Sequence, residues 1–285
     1  MALATRRPLL LRGEPGTGKS SFAAFMARQL NWSYYEHVVT SRTQAQDLLW
    51  TFDLVRRLAD AQVGRLKEPS AYLEPGVLWW AFAPRSAAAQ GAGNVVPRST
   101  AQEHSVPAEH PSAPRCSVVL IDEIDKADPD VPNSLLVPLG SHSFTVSHTG
   151  TVVRAEAGGA SPTAQGSPLI ILTTNEEREL PTAFLRRCVA VVLPEPTREQ
   201  LLAVAGAHLN AYEGGARPAD MSLADELAHT VISLREEAKR NATRPPSTAE
   251  YLDALDACRR LGITPRSEQW QWLKEMALVK TSHLG

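Results

Sequence analysis

A glycine-rich segment near the start of the chain has the residue types and the spacing of a phosphate-binding loop. It consists of Gly13, Glu14, Pro15, Gly16, Thr17, Gly18, Lys19 and Ser20, which fits the pattern G-x-x-x-x-G-K-S. The glycines allow backbone conformations that residues with a Cβ avoid, so that successive N–H groups can turn inward around a phosphate. We expect Lys19 to reach the β- and γ-phosphates of a nucleotide and the Ser20 hydroxyl to bind Mg²⁺.

The residues on either side of this loop predict the two elements that such a loop requires. An apolar run, 9–11, precedes it and predicts a strand, and residues 21–30 after it are compatible with a helix. The N-terminus of that helix would present its unpaired N–H groups and the positive end of its dipole to the same phosphate. This order of strand, loop and helix is what separates a functional loop from an accidental match to the pattern.

A second segment, 116–123, places two carboxylates at the end of a predicted buried strand. Its apolar residues follow one another without alternation, which is typical of a central parallel strand covered on both faces. Ligands of open α/β sheets bind at the carboxyl ends of the strands. We expect Asp122 to hold Mg²⁺, because hard cations prefer oxygen ligands, and Glu123 to polarise a water for attack on the γ-phosphate. Without the loop upstream, an acidic strand end or a helix cap would be the simpler interpretation.

Composition narrows the class of protein. The 285 residues are enough for one large domain and a smaller one, and the 43% hydrophobic and 21% charged content is ordinary for a globular chain. The formal net charge is −2 without a dense basic run, so we do not expect nucleic acid as the main partner. Three widely separated cysteines predict buried thiols rather than disulfides or a zinc site. We expect no transmembrane span and no signal peptide, and therefore a cytoplasmic protein.

The order of predicted elements indicates an α/β fold. Strands are predicted at 9–12, 33–39, 169–175 and 189–193 and within the segment 116–123, which gives a five-stranded parallel sheet. A helix is predicted from Asp47 to about Ala61, a mobile polar insertion over about 83–115, and a β-hairpin over 143–153. After Pro194 the periodicity becomes helical, with capping-box motifs beginning at Thr197 and Ser247. We therefore expect a sheet domain over 1–194 and a small helical lid domain over 195–285.

In this order, these segments make the chain resemble an AAA+ ATPase of the P-loop NTPase class, an αβα sandwich with a C-terminal α-helical lid. The chain is most similar to the MoxR-type group. The segments that carry the resemblance are 13–20, 41–53, 118–136, 143–153, 171–188 and 244–255. The chain departs from the family in having few residues before its first predicted strand. Either the natural start lies upstream, or adenine is recognised by the lid around 197–202.

The resemblance implies roles for four further residues. Asn175 matches the polar residue called sensor 1, which orients the attacking water and contacts the γ-phosphate. Arg186 and Arg187 precede the last strand, where the family carries an arginine finger that reaches a neighbouring subunit's site, and either of them could be the finger. Arg244 lies close to the sensor 2 position, although the family places that arginine within the first turn of the following helix.

The resemblance also implies an activity and partners. An AAA+ ATPase of this kind binds ATP and Mg²⁺, forms a homo-oligomeric ring, typically a hexamer, and remodels or matures a client protein. MoxR-type proteins are thought to act on clients with a von Willebrand A-type domain. Two other functions stay open at this point: a nucleotide-gated binding module with little hydrolysis, and a DNA-acting translocase, which the near-neutral charge disfavours. No residue of the sequence predicts whether the protein prefers ATP or GTP.

Overall fold

The computed structural model describes residues 1–91, 116–155, 167–211, 217–241, 243–265 and 267–279. The chain divides into two compact units, which we call the sheet unit and the helical unit. The sheet unit consists of Met1–Arg12 and Lys19–Val192. The helical unit consists of Gly13–Gly18 and Leu193–Gly285. By its contacts, the glycine-rich loop therefore belongs to the same unit as the C-terminal helices.

A five-stranded parallel sheet forms the centre of the sheet unit. The strands of the unit are β1 Leu9–Arg12, β2 Ser33–Val38, β3 Trp50–Phe52, β4 Leu73–Pro75, β5 Ser117–Asp122, β6 Ser143–Val146, β7 Thr151–Arg154, β8 Leu169–Thr174 and β9 Val189–Val192. The parallel sheet has the order β2-β5-β8-β1-β9, while β3 pairs with β4 and β6 with β7 as antiparallel hairpins. The predicted five-stranded sheet is therefore confirmed, and the predicted hairpin is β6–β7.

Helices cover both faces of the sheet. The helices of the sheet unit are α1 Ala2–Thr5, α2 Lys19–Leu30, α3 Leu54–Gln62, α4 Val77–Phe82, α5 Pro84–Gly91, α6 Asp130–Ser134, α7 Leu136–Ser141 and α8 Thr182–Leu185. Alternate residues of β5 belong to different cores: Val118 and Leu120 pack with residues of α2, and Val119 and Ile121 pack with residues of α4. A strand buried on both faces needs an unbroken apolar run, which is what 118–121 supplies. The result is the predicted α/β sandwich.

The predicted helix from Asp47 to about Ala61 is wrong in its first half. A 3₁₀ turn at Ala45–Leu48 and strand β3 precede the helix, which begins only at Leu54. The aromatic and β-branched residues of β3 favour a strand, and they pair with β4. Asp53 then starts α3 by accepting a hydrogen bond from the backbone N–H of Arg56 at 2.8 Å.

The predicted polar insertion over about 83–115 also needs a correction at its start. Residues Pro84–Gly91 form helix α5, and Ala83 and Ala87 are buried in the core. Alanine side chains are small enough to let a helix pack closely, and their helix propensity is high. The rest of the predicted insertion, 92–115, lies outside the described residues.

The helical unit has its own hydrophobic core. Its helices are α9 Arg198–Asn210, α10 Pro218–Asn241, α11 Thr248–Leu261 and α12 Glu268–Leu273, followed by a π-helical turn at Lys274–Val279. The core contains Leu201, Leu227, Val231, Tyr251 and Leu255 among others. Both predicted capping boxes are present: Thr197 caps α9 with Gln200, and Ser247 caps α11 with Glu250.

The three cysteines are free thiols in the structure. Burial raises the pKa of Cys188 and that of Cys258 to about 11, so both thiols are protonated at neutral pH.

Among the described residues, none of the helices combines the length and the apolar character needed to span a bilayer.

Candidate functional site

The sheet brings the predicted catalytic residues to one edge. Strand β8 lies between β5 and β1, and all three run in the same direction. Ile121 of β5 pairs with Leu172 of β8, so the residues that follow them, Asp122 and Thr173, stand side by side. Asn175 comes directly after β8, and Ser20 lies in the first turn of α2. The sheet unit therefore gathers Ser20, Asp122, Glu123 and Asn175 at the carboxyl ends of its central strands.

Ser20 and Asp122 are in direct contact. The Ser20 hydroxyl lies 2.8 Å from Asp122 Oδ1 and 3.0 Å from Oδ2, and donates its hydrogen bond to the carboxylate. A hydroxyl beside a carboxylate is a hard-oxygen donor set of the kind that Mg²⁺ accepts. In the described part of the chain no group of three or more His, Cys, Asp or Glu side chains could hold a metal ion. Mg²⁺ commonly binds through one or two protein ligands, with phosphate and water oxygens completing its shell, so the pair fits this ion.

Glu123 has an unusual backbone conformation and two side-chain partners. Its φ of 59° lies in the left-handed region, which costs free energy for a residue with a Cβ and is often found at functional sites. Asn175 Nδ2 donates to Glu123 Oε1 at 3.2 Å, and Lys126 Nζ donates to Oε2 at 2.7 Å. The hydrogen bond to Glu123 raises the pKa of Lys126. Asn175 thus contacts the Glu123 carboxylate, while its sensor 1 role stays a prediction.

Thr173 is a member of this cluster that the sequence interpretation did not assign. Its hydroxyl donates to Asp122 Oδ1, and it accepts a hydrogen bond from the backbone N–H of Glu123 at 2.8 Å. One buried hydroxyl therefore holds both the Asp122 carboxylate and the strained backbone of Glu123. The available signal was a polar residue at the end of an apolar strand, next to the strand that ends in Asp122.

Replacing Thr173 with Val is expected to lower the unfolding free energy by about 1–3 kcal/mol and to reduce nucleotide hydrolysis roughly tenfold. Valine has the shape of threonine but removes two hydrogen bonds of a buried hydroxyl, one to the carboxylate of the half-buried Asp122 and one from the backbone N–H of the half-buried Glu123. Thr174→Val is the matched control, because the Thr174 hydroxyl is equally buried but its partner among the described residues is the backbone N–H of Glu176, at 2.9 Å, and not a residue of the site. Urea unfolding and steady-state hydrolysis would be measured for both. Equal losses of hydrolysis in the two variants would contradict a role for Thr173 in the site.

The loop Gly13–Gly18 packs closely against other residues of the helical unit. A Cβ on Gly13 would lie 2.5 Å from the carbonyl oxygen of Leu193, and one on Gly16 would lie 2.7 Å from Ser247 Cβ. Gly13, Gly16 and Gly18 all have positive φ. Within the loop, the Thr17 hydroxyl donates to the carbonyl of Glu14 at 2.9 Å. Glycine is therefore required at two positions by close approach as well as by backbone conformation.

Arg244 lies in the same unit, just before α11. Its guanidinium donates to Glu250 Oε1 at 3.0 Å, and the other oxygen of Glu250 accepts from the backbone N–H of Ser247. Arg235 of α10 is buried and donates to the carbonyls of Pro246, at 2.9 Å, and Pro196, at 3.3 Å. The segment that leads into α11 is thus held by two arginines, of which only Arg244 was singled out from the sequence. Its sensor 2 role stays a prediction.

Arg186 and Arg187 follow α8 and precede β9. Both side chains are exposed, and neither guanidinium has a hydrogen-bond or ion-pair partner within the described residues. The backbone carbonyls of both residues do have a hydrogen-bond partner. The Arg7 side chain donates to each of these two carbonyls and to the carbonyl of Cys188. Among the described residues, the two arginines are not in contact with Asp122 or Glu123 of the same chain. The finger role itself stays a prediction.

Comparisons with known proteins place the chain in a family. Residues 8–188 match the AAA domain of the dynein-related subfamily, which is more than half of the chain. No curated protein sequence matches it significantly. A solved structure of a candidate ATPase from Cytophaga hutchinsonii ATCC 33406 is 14% identical, with a TM-score of 0.46, and covers 97% of this chain and 77% of that one. That structural likeness is too weak to add to the family match. The chain belongs to the AAA domain family, in its dynein-related subfamily.

Proposed function

We propose that this protein is a Mg²⁺-dependent ATPase that hydrolyses the β–γ phosphoanhydride bond of ATP. The observation that carries the proposal is the cluster at the sheet edge, in which Ser20 contacts Asp122 and Asn175 contacts Glu123. These are the two pairs that a nucleotide hydrolase needs: one to hold the metal and one to prepare the water. Membership of the AAA domain family supports the same chemistry.

Each residue of the cluster has a defined part in this proposal. The N–H groups of the loop 13–18 and the Lys19 ammonium bind the phosphates, while Ser20 and Asp122 hold Mg²⁺. Bound Mg²⁺ supplies charge neutralisation at the phosphate oxygens. Glu123 accepts a proton from the attacking water, and the Asn175 amide fixes the direction of the Glu123 carboxylate and of that water. Thr173 keeps Asp122 and Glu123 in place.

The proposal extends to assembly and to a client. We infer a homo-oligomeric ring, with six subunits as the expected number, because the exposed Arg186 and Arg187 do not reach the cluster of their own chain. One of them would then enter the site of a neighbouring subunit and stabilise the charge that develops on the transferred phosphoryl group. We further propose a MoxR-type role, in which hydrolysis remodels or matures a client protein with a von Willebrand A-type domain. The sequence resemblance supports this role.

Steady-state hydrolysis of ATP and GTP with Mg²⁺, measured across a range of protein concentrations, tests the function. We expect hydrolysis of ATP whose rate rises more steeply than the protein concentration, because sites shared between subunits form only in the assembly. Removal of Mg²⁺ with a chelator should abolish it. Tight binding of ATP without turnover at any protein concentration would contradict the proposal.

A second candidate function is a nucleotide-gated binding module with little hydrolysis. The observation that favours it is that both carboxylate oxygens of Glu123 are engaged, one by Asn175 and the other by Lys126. A general base in this state must exchange one partner for water before it can act. If this candidate is correct, ATP binds and changes the oligomeric state while turnover stays undetectable.

A further inference from the structure

The segment that carries Arg186 and Arg187 is held by another arginine. Three successive carbonyls, those of Arg186, Arg187 and Cys188, accept hydrogen bonds from the side chain of Arg7. Arg7 Nε donates to the carbonyl of Arg187 at 3.1 Å, and Nη2 donates to that of Cys188 at 2.9 Å and also to that of Arg186. A planar guanidinium with five N–H donors can hold several acceptors in one geometry.

These carbonyls lie where a helix ends. Helix α8 stops at Leu185, so the carbonyls of Arg186, Arg187 and Cys188 lie just beyond it, in the connection to β9, where a backbone carbonyl needs a donor from elsewhere. The Arg7 guanidinium supplies these donors. Hydrogen bonds from a charged donor are also stronger than those between neutral groups. The backbone from Arg186 to Cys188 is therefore fixed by the Arg7 side chain.

Arg7 is itself held in position. It follows α1, where Arg6 has a φ of 53° and the Arg7 backbone N–H donates to the carbonyl of Ala2 at 3.1 Å. The next residue, Pro8, accepts a hydrogen bond from the backbone N–H of Val189 at 2.8 Å, at the start of the β1–β9 pairing. Arg7 thus stands between a helix end and a sheet strand, both of which belong to the same compact unit.

The surroundings fit a surface that meets negative charge. Arg6, Arg7, Arg186 and Arg187 all line one cavity of about 450 Å³, whose apolar lining includes Leu139 and Phe184. Its lining within the described residues includes no Asp or Glu. Arg7 uses its donors on backbone carbonyls, whereas the side chains of Arg186 and Arg187 keep theirs available.

We propose that Arg7 is the positioning residue for the arginine that this chain offers to the nucleotide site of a neighbouring copy. Arg7 does not touch the nucleotide in this proposal. It fixes the backbone from which Arg186 and Arg187 extend, so that the guanidinium reaches the transition state without further ordering of the chain. This inference rests on the proposed ATPase function and on its shared sites.

The test begins with steady-state ATP hydrolysis by Arg7→Ala and by its matched control Arg6→Ala. Both variants remove one guanidinium from the same cavity, but only Arg7→Ala removes the three carbonyl contacts. We expect kcat to fall about tenfold or more in Arg7→Ala, with KM for ATP within about twofold of wild type. Arg6→Ala should keep both constants within about twofold. Equal losses of kcat in the two variants would overturn the proposal, since the charge of the cavity would then be what matters.

A mixing experiment separates positioning from a general loss of structure. Arg7→Ala subunits keep an intact hydrolytic cluster, and Glu123→Gln subunits keep intact Arg7, Arg186 and Arg187. When the two are mixed in equal amounts, we expect the rate per Arg7→Ala subunit to rise several-fold, because about half of those subunits gain an intact neighbour. A misfolded subunit would not be rescued in this way. If Arg7→Ala is not recovered in folded form, Arg7→Lys, which keeps the charge but not the planar fork, replaces it with the same expected result.

The Arg186→Ala/Arg187→Ala double variant, mixed with Glu123→Gln, is the reference for shared sites. Rescue of the double variant without rescue of Arg7→Ala would overturn the inference on Arg7 alone. Failure of both to be rescued would overturn the shared-site premise of the proposed function and, with it, this inference. Absence of ATP turnover in wild type would contradict the proposed function itself.

Discussion

Replacing Glu123 with Gln is expected to lower ATP turnover by about 10²–10⁴-fold, the usual contribution of a general base, while ATP binding persists. Glutamine keeps the shape of the side chain but cannot accept the proton of the attacking water. The phosphate-binding groups, Lys19 and the loop before it, are unchanged. Turnover is measured at saturating ATP, and binding is measured separately with a fluorescent ATP analogue and Mg²⁺.

Glu177→Gln is the matched control for this experiment. Glu177 is an exposed carboxylate after the neighbouring strand β8; its backbone N–H donates to Asp125 Oδ2 at 3.0 Å, and its charge contributes to the raised pKa of Lys126. The substitution changes the net charge by the same amount as Glu123→Gln and should leave turnover unaltered. A Glu123→Gln protein that hydrolyses ATP within about threefold of wild type would show that another group acts as the base.

Replacing Gly16 with Ala is expected to lower the unfolding free energy by about 2–5 kcal/mol and to abolish tight nucleotide binding. Two effects add. The φ of +78° at Gly16 is unfavourable for a residue with a Cβ by about 1–2 kcal/mol. The new Cβ would also lie 2.7 Å from Ser247 Cβ and 2.9 Å from the backbone nitrogen of Thr248, so the start of α11 would have to move.

Gly18→Ala separates the two effects. Gly18 has a φ of +88°, but a Cβ there meets nothing within 4 Å. We expect a loss of only about 1–2 kcal/mol, from backbone strain alone. Chemical denaturation without nucleotide gives the two unfolding free energies, and titration with an ATP analogue gives the affinities. Equal destabilisation by the two substitutions would show that the close approach at Gly16 relaxes at no cost.

The sequence predicts the parts of this fold that rely on strong local patterns. Buried runs such as 118–121 are typical of central strands, and the capping boxes at Thr197 and Ser247 fix where two helices start. The failure at β3 has a tertiary cause. Leu48, Leu49 and Phe52 have a helix-like spacing, yet pairing with β4, about twenty residues away along the chain, decides the conformation.

In the candidate site, too, some residues can be predicted from local sequence patterns and others cannot. Ser20, Asp122 and Glu123 follow from motifs, because phosphate and Mg²⁺ chemistry requires those residue types in those places. Thr173 and Arg7 act on backbone or side-chain groups far away in sequence, and neither belongs to a pattern along the chain. Their roles become visible only when strand register and loop conformation are known.

The order of strands has a consequence for how the chain reaches its fold. Strand β1, Leu9–Arg12, pairs only with β8 and β9 among the described strands, and these lie more than 150 residues later. During synthesis on the ribosome, β1 therefore has no partner among the described strands until β8, which ends at Thr174, has left the exit tunnel, and its second partner, β9, ends only at Val192. Contacts of such long sequence separation form slowly and leave apolar segments exposed meanwhile. The strand that leads into the phosphate-binding loop is thus among the first segments made, but it can enter the sheet only after more than half of the chain has been synthesised.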